Sequence, residues 1–237
     1  MEDILALLAL NDTGWGDEIA SGVGVTLSLA LATLPLGLLI GFFVALSKLS
    51  TEPTLRLAGN IYTTVFRGLP ELLTLFLVYY GAQIGIRELM LAMGSDTSIE
   101  INSFFAGMVA LGLVFSSFSS EVFLSAFRAI PRGQYEGGYA IGLSRFQTMR
   151  LIILPQLIRI ALPGLSNLWM ILLKDTALVS VIGLSDIIRQ TGIAARVTKE
   201  AFLFFGLACL LDLVLAILSS VAIGAINRWA AKGDVPR

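Results

Sequence analysis

Five long apolar stretches restrict what this chain can fold into. Residues 19–47 and 101–120 contain no charged residue. A helix needs about 20 apolar residues to cross the hydrocarbon core of a membrane. The other stretches are 57–86, with Arg67 and Glu71; 160–185, with Lys174 and Asp175; and 201–227, with Asp212. We therefore predict an all-α membrane protein, a single domain over 1–237, with five transmembrane helices at about 19–47, 57–86, 101–127, 156–182 and 201–227.

The composition supports this prediction and excludes several classes of protein. The chain is 56% hydrophobic and 14% charged, whereas soluble domains average about 45–50% apolar and about 25% charged residues. There is no histidine and one cysteine, Cys209, so histidine catalysis, a disulfide framework and a thiolate metal cluster are not expected. A net charge of −1 gives no sign of a nucleic-acid partner. No phosphate-binding G-x-x-x-x-G-K-[ST] loop is found. We expect no catalytic residues, no metal and no cofactor in this chain.

The distribution of lysine and arginine predicts the orientation. Cytoplasmic loops carry an excess of basic residues. Ten bases lie on one side of the predicted spans and four on the other, namely Arg87, Arg189, Arg196 and Lys199. The segment before the first span has acids but no base, and we expect that span to be retained rather than cleaved as a leader. The prediction is an N-terminus outside, in the periplasm, and a C-terminus in the cytoplasm.

The longest predicted cytoplasmic connection, 128–155, has an unusual pattern of helix breakers. Pro131 and Gly133 precede a helical stretch, and Gly142 interrupts it. Ser144 is a suitable N-cap for a second short helix. Pro155 predicts a boundary before the fourth span.

Residues of this loop have the spacing of a known motif. Glu136, Gly142 and the run Ile152-Ile153-Leu154-Pro155 resemble the EAA motif of ABC importer permeases, although Gly137 and Gly138 replace its two alanines. The segments FRGLPELL and YYG, within 66–81, and 162–187 resemble the second-span and fourth-span signatures of the polar amino acid permeases. The acidic residue after R-G-x-P is similar to the Q-type subunit of the histidine, octopine and nopaline systems. The resemblance covers essentially the whole chain.

The resemblance implies a type I ABC importer fold in the bacterial inner membrane. It implies that 128–155 is a coupling loop that docks on an ATPase, with Glu136 in contact, Gly142 in the turn, and Arg145 and Pro155 in the same element. The implied partners are a second permease subunit, two ATP-binding subunits that hold ATP and magnesium, and a periplasmic solute-binding protein. The implied substrates are polar, chiefly basic, amino acids or opines. Alternatives are a homodimeric arginine- or glutamine-type permease and a secondary transporter; the latter would show inverted repeats, which we do not find.

The stretch Arg67-Gly68-Leu69-Pro70-Glu71 places charges and helix breakers inside an apolar run. Charged groups at membrane depth face a protein interior or a wet cavity. On a continuous helix Arg67 and Glu71 share a face, so they could form a structural ion pair. Alternatively, Glu71 faces the translocation cavity and attracts a cationic solute, which the resemblance favours. We assign Arg67 a structural role, in an ion pair or as an anchor at the membrane interface.

The sequence Lys174-Asp175-Thr176 lies about 20 residues after Pro155, close to one membrane crossing at about 1.5 Å per residue. It is either an interfacial charge pair or, as the resemblance implies, part of the substrate cavity through Asp175 and Thr176. Asn167, two turns deeper, is a further candidate for substrate binding. Glu121 is a candidate partner for a charge on another subunit.

Two further features concern helix packing and the outer loops. The pairs Gly37–Gly41 and Gly22–Gly24 predict close helix packing. Residues 97–102 and 184–200 are candidates for the surface that meets the solute-binding protein.

Overall fold

A computed structural model describes residues 7–10, 14–94 and 100–231, and this part of the chain is helical without β-strands. The helices in chain order are α1 Gly16–Leu49, α2 Pro53–Gly68, α3 Glu71–Ala92, α4 Ser103–Ala129, α5 Arg132–Ala140, α6 Arg145–Thr148, a π-helical turn Met149–Ile153, α7 Leu154–Asp175, a 3₁₀ segment Thr176–Ile182, α8 Ile187–Thr198 and α9 Ala201–Ala231.

Helix α4 forms the centre of the fold, and α1 packs along it more extensively than any other helix. Glycines allow the close approach: a Cβ on Gly37 would lie 2.5 Å from the ring of Phe115, and one on Gly41 would lie 2.8 Å from the carbonyl oxygen of Ser116. Gly22 is similarly close to the backbone of Asp186, 2.9 Å from its oxygen. The predicted close packing is confirmed at these three positions. It is wrong for Gly24, which faces open space.

The core of α4 contains four fully buried serines, Ser116, Ser117, Ser119 and Ser120. Their hydroxyl groups are satisfied mainly within the helix, because each donates to the carbonyl three residues earlier. The donor–acceptor distances are 2.7 Å from Ser117 to Val114 and 2.7 Å from Ser120 to Ser117. A buried hydroxyl without a partner costs free energy, so this bonding lets small polar residues line a tight helix interface.

Five of the described helical segments are long and apolar enough to span a membrane: Gly16–Leu49, Glu71–Ala92, Ser103–Ala129, Arg145–Ile182 and Ala201–Arg228. The prediction of an all-α protein with five transmembrane helices is confirmed. The orientation of the termini stays a prediction.

The second predicted span, 57–86, contains two helices instead of one. Helix α2 ends at Gly68, Leu69 and Pro70 are extended, and α3 begins at Glu71. Pro70 has no N–H to donate, and its ring disfavours helical geometry at Leu69. Of these two helices, only α3 has the length and hydropathy of a span.

The helical segment that contains the predicted fourth span, 156–182, is longer than that span, because helical structure continues from Arg145 through Ile182. Pro155 does not interrupt it. This proline is the second residue of α7, directly after the π-helical turn. A first-turn position suits proline, because its missing N–H would have few intrahelical partners there. Pro155 therefore marks a change of helix type rather than a break in the chain.

Candidate functional site

Two carboxylates predicted to bind substrate, Glu71 and Asp175, come from different helices and lie near each other. Glu71 is the first residue of α3, so the N-terminal end of the helix dipole favours its negative charge. Asp175 is the last residue of α7. Both are half-buried, and α3 packs against the 3₁₀ segment Thr176–Ile182, which directly follows Asp175. We call Glu71 and Asp175 the acidic pair.

A narrow apolar cleft adjoins Asp175. Its lining includes Phe115 and Phe118 from α4 and Leu168 and Ile171 from α7, and its volume is about 10 Å³. That is room for about one water molecule. In this conformation the cleft is therefore too small to hold an amino acid.

The other two predicted substrate residues are placed differently. Thr176 is buried, and its hydroxyl donates to the carbonyl of Leu173 at 2.8 Å, so it is not open to a substrate in this conformation. Asn167 is exposed. It lies one turn before Ile171 and two turns before Asp175 on α7, on the face that continues the cleft.

Arg67 contacts Glu121 and not Glu71. Its Nη1 is 3.5 Å from Oε1 of Glu121, and Lys48 from α1 forms an ion pair with the same oxygen. The alternative of an Arg67–Glu71 pair assumed one continuous helix, and the break at Leu69–Pro70 removes that geometry. Glu121 has its charged partners within this chain instead of on another subunit. We call Lys48, Arg67 and Glu121 the charge cluster.

The predicted coupling loop folds into two short helices, α5 and α6, joined by a turn; we call Arg132–Thr148 the docking element. Gly142 lies in the turn with φ 86°, a conformation that glycine adopts without steric cost. Ser144 caps α6, and a reciprocal bond joins its backbone N–H to the side chain of Gln147 at 2.9 Å. Glu136 and Arg145 lie on this element, Arg145 exposed and Glu136 beside the two glycines.

The docking element is attached to the core at defined points. Thr148 and Gly138 are buried against each other, and a Cβ on Gly138 would lie 2.6 Å from Cγ2 of Thr148. The amide of Gln156 on α7 donates to Gln134 at 3.1 Å. Gly138, one of the two departures from the alanines of the motif, therefore permits close contact between α5 and α6.

Two exposed apolar residues of the docking element were not predicted from the sequence. Ile141 and Phe146 flank the turn and are 74% and 73% exposed. The signal in the sequence that could have identified them was the presence of large apolar side chains near Gly142, in a predicted surface loop. Exposed apolar groups of this kind mark surfaces that meet a partner.

An open polar cavity of about 750 Å³ lies at the opposite end of α4. Tyr79 and Gln83 of α3, Glu100 and Asn102 before α4, and Ser185 contribute to its lining. These residues include parts of both predicted surfaces for the solute-binding protein. Residues 97–99 of the first surface lie outside the described part of the chain.

A central helix surrounded by spans, with a two-helix element exposed at one end, is the architecture of an ABC importer permease. The chain belongs to the family of binding-protein-dependent transport system inner membrane components, whose family model matches residues 34–232. It is therefore an inner-membrane permease subunit, as the sequence resemblance indicated.

Relatives and a solved structure agree with this assignment. The nopaline transport system permease protein NocQ of Agrobacterium fabrum is 38% identical over 230 residues, 97% of this chain and 98% of the relative. The histidine/lysine/arginine/ornithine transport system permease protein HisQ of Salmonella typhimurium is 38% identical over 93% of this chain and 96% of its own length. The crystal structure of an amino acid ABC transporter with histidines has a TM-score of 0.75 and 31% identity, over 90% of this chain and 94% of that one. The predicted similarity to Q-type subunits is confirmed.

Proposed function

We propose that this permease subunit imports basic amino acids or opines, and that the acidic pair attracts their cationic group. The observation that carries the proposal is that two half-buried carboxylates, Glu71 and Asp175, stand at the ends of α3 and α7, where α3 packs against the 3₁₀ segment after Asp175. Each of the relatives described above is named for opines or amino acids, and HisQ for a set that is largely cationic.

Charge pairing elsewhere supports this role. Glu121, a carboxylate on the central helix α4, is already shared by two cations in the charge cluster. By contrast, neither member of the acidic pair forms an ion pair among the described residues. Two neighbouring like charges repel each other, and a cationic substrate would relieve that repulsion. The same argument disfavours acidic substrates.

The proposed assembly contains a second, similar permease subunit, two ATP-binding subunits and a periplasmic solute-binding protein. Helix α3 exposes large apolar side chains such as Leu73, Leu77 and Ile84, which suit contact with another membrane subunit or with lipid. The docking element would bind an ATP-binding subunit through Ile141 and Phe146, with Glu136 and Arg145 beside them. ATP and magnesium would be held by that partner, and closure of the ATPase would turn the permease outward by alternating access.

The experiment is ATP-dependent uptake into liposomes that contain the assembled complex and its binding protein. Arginine, lysine and histidine would be compared with neutral and acidic amino acids for the native chain and for Glu71→Gln. We expect selective uptake of cations that falls at least tenfold in Glu71→Gln. The matched control is Glu88→Gln, which makes the same change on an exposed part of α3 and should leave uptake unchanged.

Unchanged cation selectivity in Glu71→Gln, with normal assembly and ATPase activity, would reject the role of Glu71. The homodimeric alternative is tested in the same assay without the second permease subunit, because this chain, the ATPase and the binding protein would then be enough for transport. Uptake driven by a proton gradient without ATP would support a secondary transporter and contradict the proposed mechanism.

A further inference from the structure

The charge cluster has one more positive charge than negative charge. Glu121 is shared between Lys48 and Arg67, so its single carboxylate leaves a formal charge of +1. The side chain of Lys48 is only 9% exposed and also donates to Thr63 at 3.1 Å. Lys48 is thus the close, enclosed partner of Glu121, and Arg67 is the outer one.

Arg67 has most of its hydrogen-bonding capacity unused. Its side chain is 45% exposed, and its contact with Glu121 is a single 3.5 Å approach. Among the described residues it donates no hydrogen bond. A guanidinium group has five N–H donors in a planar fork that fits a carboxylate. A half-exposed guanidinium with unused N–H donors is suited to bind an anionic group.

Arg67 contacts a residue of the cleft that adjoins Asp175. Its guanidinium carbon lies 5.3 Å from the centre of the Phe118 ring, which holds it by a cation–π interaction. Phe118 lines the same narrow cleft as Asp175. Glu71 follows Arg67 by four residues, across the break between α2 and α3. Arg67 is therefore linked to Asp175 through the cleft lined by Phe118, and to Glu71 through the short break between α2 and α3.

We propose that Arg67 binds the α-carboxylate of the transported molecule while the acidic pair binds its cationic end. This inference rests on the proposed function and adds a second point of recognition to it. A basic amino acid carries a carboxylate at one end and a cation at the other, and the two sets of charges complement it. Arg67 then selects for an amino acid over a simple amine of the same length.

Three ligands separate the two points of recognition. Arginine has both charged ends, agmatine lacks the carboxylate, and citrulline lacks the cationic side chain. Equilibrium binding of each is measured to the assembled membrane complex in nanodiscs without the binding protein, so that selection by that protein is excluded. For the native complex we expect arginine to bind about tenfold or more tightly than either analogue, as charge-assisted bonds to a partly buried site imply.

The variant Arg67→Gln should bind arginine as weakly as agmatine, while its affinity for agmatine stays the same or rises. Arg67→Lys keeps the charge but not the planar fork, so it should retain part of the preference for arginine over agmatine. This variant replaces Arg67→Gln in the test if Arg67→Gln fails to assemble. Arg87→Gln is the matched control, because it makes the same change at an exposed arginine of α3. It should retain the preference for arginine over agmatine.

The inference is overturned if Arg67→Gln and Arg67→Lys discriminate between arginine and agmatine as the native complex does, or if the native complex does not discriminate. The proposed function fails separately, when arginine and citrulline bind equally to the native complex. If none of the three ligands binds, both are rejected.

Discussion

Two adjacent glycines in the docking element should respond in opposite ways to the same substitution. Gly137 and Gly138 stand where the EAA motif has alanines. A Cβ added at Gly137 meets nothing within 4 Å, whereas one at Gly138 lies 2.6 Å from Cγ2 and 2.8 Å from Oγ1 of Thr148. Thr148 is buried and β-branched, so rotation about χ1 cannot move both of these atoms away. We predict that Gly137→Ala stabilises the element and that Gly138→Ala disrupts it.

The expected magnitudes follow from helix propensity and overpacking. Replacing glycine by alanine inside a helix gains about 1 kcal/mol at either position. Only Gly138→Ala adds the clash, and overpacking typically costs about 1–3 kcal/mol. The difference between the two variants therefore isolates the clash. Because 1.4 kcal/mol corresponds to a factor of ten, local opening of α5 and α6 should differ by roughly 5- to 150-fold.

Amide hydrogen exchange over 132–148, measured on the assembled complex, reports this local opening. ATP-driven uptake is measured in parallel, since a loosened docking element should also reduce coupling. Thr148→Ala removes both clashing atoms, so it should restore protection in the Gly138→Ala background. Equal protection in Gly137→Ala and Gly138→Ala would refute the reasoning, and so would a loss in Gly138→Ala that Thr148→Ala leaves uncorrected.

Two further predictions concern buried charges. Glu121→Gln leaves Lys48 enclosed without its carboxylate, so the stability of the complex should fall by about 3–5 kcal/mol. Adding Lys48→Met to the same chain should recover most of the lost stability. Equal melting temperatures of the single and double variants would contradict this prediction. Burial raises the pKa of Asp186, the N-cap of α8, to about 6 from its ordinary 3.8. The folded state then binds this proton more tightly than the unfolded state, so the stability from Asp186 is present below about pH 4 and is lost as the pH rises to about 6. Melting temperatures should show this decline, and Asp186→Asn, which keeps a capping side chain, should reduce it; an identical slope in the variant would count against the assignment.

The spans could be predicted from sequence because they depend mainly on one effect, the transfer of apolar surface into lipid. The break at Leu69–Pro70 was only partly predictable. The helix breakers Gly68 and Pro70 are visible in the sequence. Whether the chain would only loosen there or begin a new helix depends on the packing around Glu71. The length of the helical segment that contains the fourth span was underestimated. A proline in the first turn of a helix, as Pro155 is, and a proline that ends a helix look alike in sequence.

The sequence was a better guide to the residues of the candidate site than to which charged residues pair with each other. Glu71 and Asp175 were selected because charges at membrane depth are costly and because the family resemblance favours a role for them in the substrate cavity; neither reason needs a structure. Glu121 could not be paired with Lys48 and Arg67 from sequence, because these residues are 73 and 54 positions away and helical periodicity carries no information across helices. Periodicity instead suggested Arg67–Glu71, a pairing that the helix break prevents.

The two helical connections to the acidic pair differ in a way that bears on transport. Asp175 ends a continuous helical segment that begins at Arg145, inside the docking element. Glu71 begins a helix directly after an extended break. Because no loop lies between Arg145 and Asp175, a displacement of the docking element should be transmitted along α7 to Asp175. The break at Leu69–Pro70 lets α3 follow a different path from α2. Movement at the ATPase surface would then change the separation of Glu71 and Asp175, and with it the affinity for a cation held between them.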